Sequence, residues 1–409
     1  MTAPSVPLAY LVSRYPAVSH TFILREVAQL RALGHVIHTA SINPPDRALE
    51  RMDDAEREQS LATYCVKADT AVGSLRALAY WATRAPLRLL RTLRLGVQLG
   101  HGAKGLAYAF EAAMVARWMA DKKLAHLHVH FGNAGATVGV LAKALNQCHL
   151  SYTIHGPDEF DDVPGQQLSQ KMAAADVVVC ISQFARSQLM RISAPADWPK
   201  FQVCRLGVDP TQFTPDVPCD PRDGVNLLCV GRLTPAKCQV LLVQACARLR
   251  DAGVAFTLTM VGEGPDRGRV ESAIARHGLQ DLAKLTGALT QQGVRQAFSQ
   301  ADIFVLPSLA EGIPVVLMEA MCSLVPCVST PVNGIPELIE HDCDGLLATP
   351  GDIDSLVAQL QRLCASPEDR ARLARAASEK VRQRFDLGRN VRQLSQIFST
   401  FPRAPVRMA

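Results

Sequence analysis

The stretch DIFVLPSLAEGIPVVLMEAMCSLVPCVSTPVNGIPE, from Asp302 to Glu337, decides the fold. An apolar, β-branched run (IFVL) breaks at Pro and Ser, a loop carries Glu311 and Gly312, Pro314 opens a helical pattern reaching to about Cys322, and a second apolar run follows. Strand, helix and strand in so short a span join two parallel strands through a crossover. Proline suits the first helical position, where its missing N–H is not needed. The alternation continues in both directions. Strand patterns fall at PLAYLV, VIHTASI, HLHVHF, LSYTIH and DVVVCIS in the first half, and at VNLLCVG, FTLTMVG, KLTGAL, DIFVLPS and PCVST in the second. Two strand series predict an α/β protein with two doubly wound parallel sheets.

The Pro- and Asp-rich segment from Val203 to Pro221 separates the series. It divides the chain into a first domain over 1–205, a linker over 206–222, a second domain over 223–385 and a tail over 386–409. Folds of this kind bind ligands at the carboxyl ends of their strands, so the cleft between two such domains is the expected site.

Composition narrows the class. The chain has 409 residues, 48% hydrophobic and 20% charged, which is apolar mass for two cores. No apolar run approaches the ~18 residues of a membrane span, and Arg14 follows the first apolar run too soon for a secretory signal, so a cytoplasmic protein is expected. The twelve cysteines form no C-x-x-C and sit in apolar runs, as reduced core residues do. Net charge is +5, and residues 1–207 hold 22 basic against 16 acidic groups. Residues 73–110 contain six basic residues and no acidic one. Within 75–99, Arg84, Arg88, Arg91 and Arg94 fall on one helical face with Trp81, Leu87, Leu90 and Leu93 nearby, a pattern suited to an anionic membrane surface. The alternative is a solvated helix with one packed face. The basic excess lacks the aromatic interleaving of RNA binders, so no nucleic acid is expected.

Candidate chemistry clusters in loops after strands. CVGRLTPAK puts Gly231, Arg232 and Lys237 after the first strand of the second domain. Arg grips two oxygens and Lys adds a point charge, which together suit a diphosphate. VGEGP supplies Gly262 and Gly264 in a second turn. Glu311 and Glu319 flank a helix N-terminus whose free N–H groups, beside Gly312, suit phosphate or sugar hydroxyls; taken alone, that spacing is equally a capped helix with a surface Glu. His126, His128 and His130 alternate along one strand face, with no carboxylate or Cys near them in sequence to complete a metal site. Asp342-Cys-Asp344 and Asp352-Ile-Asp354 read as a turn and a helix cap.

In this order, VGRL with a following Lys, VGEGP, LPS, EGIPVVLMEAM and GIPE resemble the second domain of glycosyltransferase family 4. The resemblance is close over about 225–385. It implies the GT-B architecture, two Rossmann-like domains facing across a cleft, with a nucleotide-sugar donor (UDP or GDP, as co-substrate), retention of anomeric configuration, no metal and no further cofactor. Carried over, Arg232 and Lys237 hold the donor diphosphate, Glu319 the ribose and Glu311 the sugar hydroxyls, while Gly312, Ile313 and Val315 offer backbone to sugar and phosphate. In the first domain, SRYPAVSHTF, HLHVHFGNAG and LSYTIHGPDEF resemble a bacterial exopolysaccharide branch that includes the colanic acid and amylovoran enzymes. There His155 matches the histidine beside the donor sugar, and Ser19, His20, Thr21, His130 and Asp158 fall on the acceptor side. His20 stands where relatives usually show Glu. The implied acceptor is an undecaprenyl-diphosphate-linked oligosaccharide at the inner membrane. The rival expectation is a nucleotide-sugar-binding protein without catalysis.

Overall fold

The computed structural model describes residues 7–69, 71–100, 102–213 and 224–401. They form two compact units, one comprising the described residues up to Arg205 together with those from Asn390 onward, and the other those between Leu206 and Arg389.

The first unit is built on a seven-stranded parallel sheet of β1 (Leu8–Arg14), β2 (Ile37–Asn43), β3 (Tyr64–Cys65), β4 (His126–His130), β5 (His149–Ile154), β6 (Val177–Cys180) and β7 (Phe201–Val203), in the order β3-β2-β1-β4-β5-β6-β7. All of β4 and β6, and most of β1, are buried. Strands covered on both faces tolerate apolar residues at every position, which is why β6 reads as an unbroken apolar run, while β4 alternates buried histidines with Leu127 and Val129. The order reverses between β1 and β4, so the loops that follow these two strands splay apart and leave room for a ligand.

Three helices, Ala71–Arg84, Pro86–Gly100 and Ala103–Asp121, fill the crossover from β3 to β4. The second and third touch at glycine: a Cβ at Gly105 would lie 1.9 Å from the carbonyl oxygen of Gly96, so neither helix admits a side chain there. The single helix expected over 75–99 is therefore corrected to two, parted at Ala85–Pro86. Proline disfavours helical backbone in the residue before it. Arg84 closes the first helix and lies over the Tyr80 ring at 4.5 Å, apart from Arg88, Arg91 and Arg94 on the second. Trp81 is buried, its indole N–H donating to the Ala113 carbonyl at 3.1 Å.

The second unit holds six parallel strands, β8 (Val225–Val230), β9 (Phe256–Val261), β10 (Ala283–Gly287), β11 (Ile303–Leu306), β12 (Cys327–Ser329) and β13 (Leu346–Leu347), ordered β10-β9-β8-β11-β12-β13. Its reversal lies between β8 and β11. Part of the expected linker, 214–222, lies outside the described residues; its start is built into the second unit, where Val208 pairs with Asp386.

The tail is more than a tail. The last helix, Leu387–Ser399, passes to the first unit from Asn390 onward and lays Phe398 against the rings of His128 and His126, at 4.9 and 5.4 Å between centroids. Its apolar stripe thereby covers the histidine-bearing face of β4.

Candidate functional site

In the second unit the site grows from the two loops at the sheet reversal. After β8 the chain turns at Gly231, whose N–H donates to the Val261 carbonyl at 2.9 Å, and makes a tight turn over Pro235–Lys237. After β11 it runs through Ser308 to Pro314 and enters the helix Val315–Cys322. Leu309 N–H donates to the Ala236 carbonyl at 2.7 Å, tying the loops together. Lys237 then donates to the Glu311 carboxylate, which also accepts the Ser308 hydroxyl at 2.7 Å. The Glu311 N–H is held by Asn333 Oδ1 at 3.2 Å, and the carboxylate is buried.

Pro314 takes the N-cap position with extended backbone, one residue ahead of the expected first helical position. Glu319 is buried on this helix. The Ile313 side chain is buried too, and Gly312 and Val315 are half-buried beside it. Arg232 is exposed, and its backbone carbonyl accepts Gln239 Nε2 at 2.9 Å. Gly262, at φ 141°, would place a Cβ 2.0 Å from the Gly231 carbonyl oxygen, and Gly264 would place one 2.2 Å from that of Leu233. Both glycines therefore let the VGEGP turn lie directly on the loop that bears Arg232.

In the first unit, Phe131 follows β4 with φ 70°, in the left-handed region that bulky side chains avoid. Two buried charges hold that loop. Glu159 accepts the N–H groups of Gly132, His155 and Gly156, and Lys171 donates to the carbonyls of Gly132 and Asn133 at 2.9 Å each. Burial pushes the Glu159 carboxyl up to about 7, against the pull of its three N–H donors. Burial also brings the Lys171 amine down to about 8.

The loop delivers the Phe131 ring to His155 at 4.4 Å and to His20 at 4.9 Å, and Phe22 meets His155 at 4.9 Å. His155 Nε2 lies 3.0 Å from His130 Nδ1. Burial, with His130 and His20 adding to it, keeps the His155 imidazole well below the usual histidine range. His20, His130 and His155 thus gather in one cluster, with Thr21 opening the helix Thr21–Ala32 that follows His20. Asp158 is exposed and turned to solvent, and the side chain of Ser19 lies outside the described residues.

One expectation is corrected. Glu26, from the helix Thr21–Ala32, stands with His128 and His130 so that one ligand atom of each lies within 4.8 Å of the others. A carboxylate does accompany the alternating histidines. The two ring nitrogens of His128, however, are taken by the hydroxyls of Ser151 and Thr153, at 2.7 and 3.0 Å. As for the acidic pairs, Asp342 is bound by Arg362 and Arg372, Asp344 by Lys380, and Asp352 caps the helix Ile353–Ala365.

Sequence reasoning missed Glu26, Glu159, Lys171 and Phe131. For Glu159 there was a signal: it stands three residues after Gly156 and reaches back to that N–H, as a capping glutamate does.

Residues 220–380 match the family described as glycosyl transferases group 1. Over 406 residues the chain is 30% identical to the amylovoran biosynthesis glycosyltransferase AmsK of Erwinia amylovora, covering 95% of this chain and 98% of that one. It is 28% identical over 402 residues to the putative colanic acid biosynthesis glycosyltransferase WcaL of Escherichia coli K12, covering 93% and 96%. Among solved structures, Anabaena HepE in complex with UDP and glucose superposes with a TM-score of 0.73 over 97% of this chain and 100% of that one, at 18% identity. That likeness is one of fold, and the fold is GT-B. With the motif loops of the second unit matched by the family and 95% of the chain matched by AmsK, this protein belongs to the group 1 glycosyltransferases.

Proposed function

We propose that the protein is a retaining, metal-independent hexosyltransferase of glycosyltransferase family 4, moving a hexose from UDP- or GDP-sugar to a lipid-linked or oligosaccharide acceptor in bacterial exopolysaccharide biosynthesis. The observation that carries this reading is the meeting of Lys237 and Glu311 at the reversal of the second sheet, with Arg232 and Glu319 on the same two segments. A cation and a carboxylate held together there match a diphosphate and the hydroxyls of its sugar. The roles of AmsK and WcaL in amylovoran and colanic acid biosynthesis support the pathway, and the UDP in HepE supports a uridine donor.

In this reading Arg232 and Lys237 bind the donor diphosphate and stabilise the charge that gathers on the β-phosphate as the glycosidic bond breaks. Glu319 takes the ribose and Glu311 the sugar hydroxyls. Gly231, Gly262 and Gly264 shape the phosphate loop, and Gly312, Ile313 and Val315 give it backbone. The acceptor hydroxyl attacks on the face the diphosphate leaves, a phosphate oxygen takes its proton, and His155 helps to position the sugar. Ser19, His20, Thr21, His130 and Asp158 serve the acceptor side.

The acceptor we favour is an undecaprenyl-diphosphate-linked oligosaccharide at the cytoplasmic face of the inner membrane, reached through the helix Pro86–Gly100. No described helix is long and apolar enough to cross a membrane. A thermal-shift screen over UDP- and GDP-sugars tests donor binding, since a ligand at about 100 times its Kd stabilises by about 2.7 kcal/mol. Transfer, or slow donor hydrolysis, in excess chelator then separates an enzyme from a donor-binding protein without catalysis. Donor binding with neither reaction would overturn the transferase reading, and activity that dies with chelator would overturn metal independence.

A further inference from the structure

A chain of four buried side chains runs through the first unit, from the strand β1 to the histidine after β5. Tyr10 donates its hydroxyl to Glu26 Oε1 at 2.9 Å. His130 Nε2 faces that same oxygen across 3.2 Å, off the ideal hydrogen-bond line, and meets no better partner among the described residues. His130 Nδ1 lies 3.0 Å from His155 Nε2. All four residues are at most 8% exposed, so water does not compete for these contacts.

The order of protons along the chain follows from what each atom can do. Burial, reinforced by the charge of Glu26, lifts the Tyr10 phenol well above its ordinary range, so it stays a donor. A carboxylate oxygen only accepts. With a neutral His130, the nitrogen facing Glu26 therefore carries the proton, because two lone pairs set against each other in a dry site repel. That leaves His130 Nδ1 as an acceptor, and His155 Nε2 must supply the proton between them. The rings of Phe131 and Phe22, at 4.4 and 4.9 Å, hold the His155 imidazole against turning over.

We propose that Glu26 is a positioning residue that, acting through His130, fixes His155 as the Nε2–H tautomer and leaves its Nδ1 as a permanent acceptor for a substrate hydroxyl. His155 Nδ1 has no hydrogen-bond partner among the described residues, so a substrate hydroxyl would be the donor it meets. A histidine with a fixed bare nitrogen selects a donor group in its partner. The inference rests on the reading of His155 as a substrate contact for its purpose, while the tautomer itself stands on the geometry above.

The full chain with 15N-labelled histidine reports ring protonation through long-range proton–nitrogen correlations. His155, assigned by its loss in His155→Gln, should show a protonated Nε2 and a bare Nδ1 in the unsubstituted protein. In Glu26→Gln the neutral amide can accept through its oxygen or donate through its nitrogen, so the bias on His130 is lost and the His155 shifts should move toward an average of both tautomers. Glu26→Asp keeps the polarity and should keep the tautomer. Should Glu26→Gln fail to fold, His130→Ala cuts the chain instead and should leave His155 with shifts averaged over both tautomers. Turnover should fall roughly 10- to 100-fold in Glu26→Gln and recover in Glu26→Asp. Nδ1–H on His155 in the unsubstituted protein, whether from a charged His130 or a reversed chain, would overturn the inference, as would an unmoved tautomer in Glu26→Gln or His130→Ala. Failure of the transferase reading is separate, showing as an inactive protein whose His155 spectrum still follows Glu26.

Discussion

Lys237 and Glu311 stand 74 positions apart in sequence and share a hydrogen-bonded ion pair, with the Ser308 hydroxyl on the same carboxylate oxygen. Their loops belong to β8 and β11, the strands flanking the reversal of the second sheet. The carboxylate holds the ammonium in place, so a donor diphosphate bound there, as we propose, would compete with Glu311 for Lys237. Competition of that kind costs ground-state affinity. In the proposed reaction Lys237 would gain most when a second negative charge develops on the leaving phosphate and outcompetes Glu311.

Lys237→Ala should therefore lower kcat by roughly 10²- to 10³-fold while donor Kd rises by much less. Parallel measurements of turnover and donor affinity check this. Equal losses in both would mean that Lys237 binds ground state and transition state alike.

The VGEGP turn makes a separate claim about stability. A Cβ at Gly262 would sit 2.0 Å from a backbone oxygen, at a φ of 141° that side chains rarely adopt. Gly268, on the helix Arg267–Arg276, has nothing within 4 Å of its Cβ position. Gly262→Ala should destabilise by at least about 2 kcal/mol, and Gly268→Ala should be neutral or stabilising by up to about 1 kcal/mol. Urea unfolding of the two variants compares them directly, and equal midpoints would refute the close contact.

How much of this was legible depended on distance along the chain. Strands such as β1 and β6 announce themselves because burial on both faces favours apolar residues at nearly every position, whereas β3, β7 and β13 are edge pieces of two or three residues that carry no such run. The second-unit site was readable because each loop follows directly on its strand, so Lys237 and Glu311 come from motifs that stand whole in the sequence. Glu26 had no such signal. It looks like one charge on an amphipathic helix, and only the packing of that helix against β1 and β4 puts it beside Tyr10 and His130. The break at Pro86 was written in the sequence, yet the arginine spacing across it suggested one continuous face.

Acid should weaken the first unit for a reason visible in its histidines. Burial brings His126 down to about 3 and holds His128 and His155 well below 6.5. The unfolded chain binds these protons first, so their contribution is complete above about pH 6.5 and is lost as pH falls below it. Glu159 works the other way. Its folded value near 7 lies above the ordinary 4.5, so its contribution is complete below pH 4.5 and fades as pH rises toward 7. These histidines, joined by His35 and His38, which burial also lowers, outweigh Glu159 and Glu111, which burial raises, and leave a net loss on acidification of roughly 1–3 kcal/mol per pH unit between pH 6.5 and 4.5. Urea midpoints at pH 7.5, 6 and 5 should fall in that order, and a rise at pH 5 would contradict the neutral, buried histidines.

The membrane contact we propose would fall on one helix face. On Pro86–Gly100, Leu87 is 70% and Leu90 48% exposed, with Arg91 and Arg94 exposed beside them. Positions 87, 90, 91 and 94 recur at helical spacing, so leucines and guanidinium groups meet the same plane. Arg84 is held over Tyr80 on the preceding helix and lies outside this face. Each arginine near an anionic surface contributes about 1 kcal/mol, so Arg91→Gln with Arg94→Gln should weaken binding to phosphatidylglycerol vesicles about 30-fold. Arg84→Gln should change it little, and raising the salt should weaken the unsubstituted protein as well. Since Arg91 and Arg94 are exposed, thermal stability serves as the control and should not move. Vesicle co-sedimentation of the three proteins decides the matter: binding that survives the double substitution, or falls equally with Arg84→Gln, would detach the membrane from this helix.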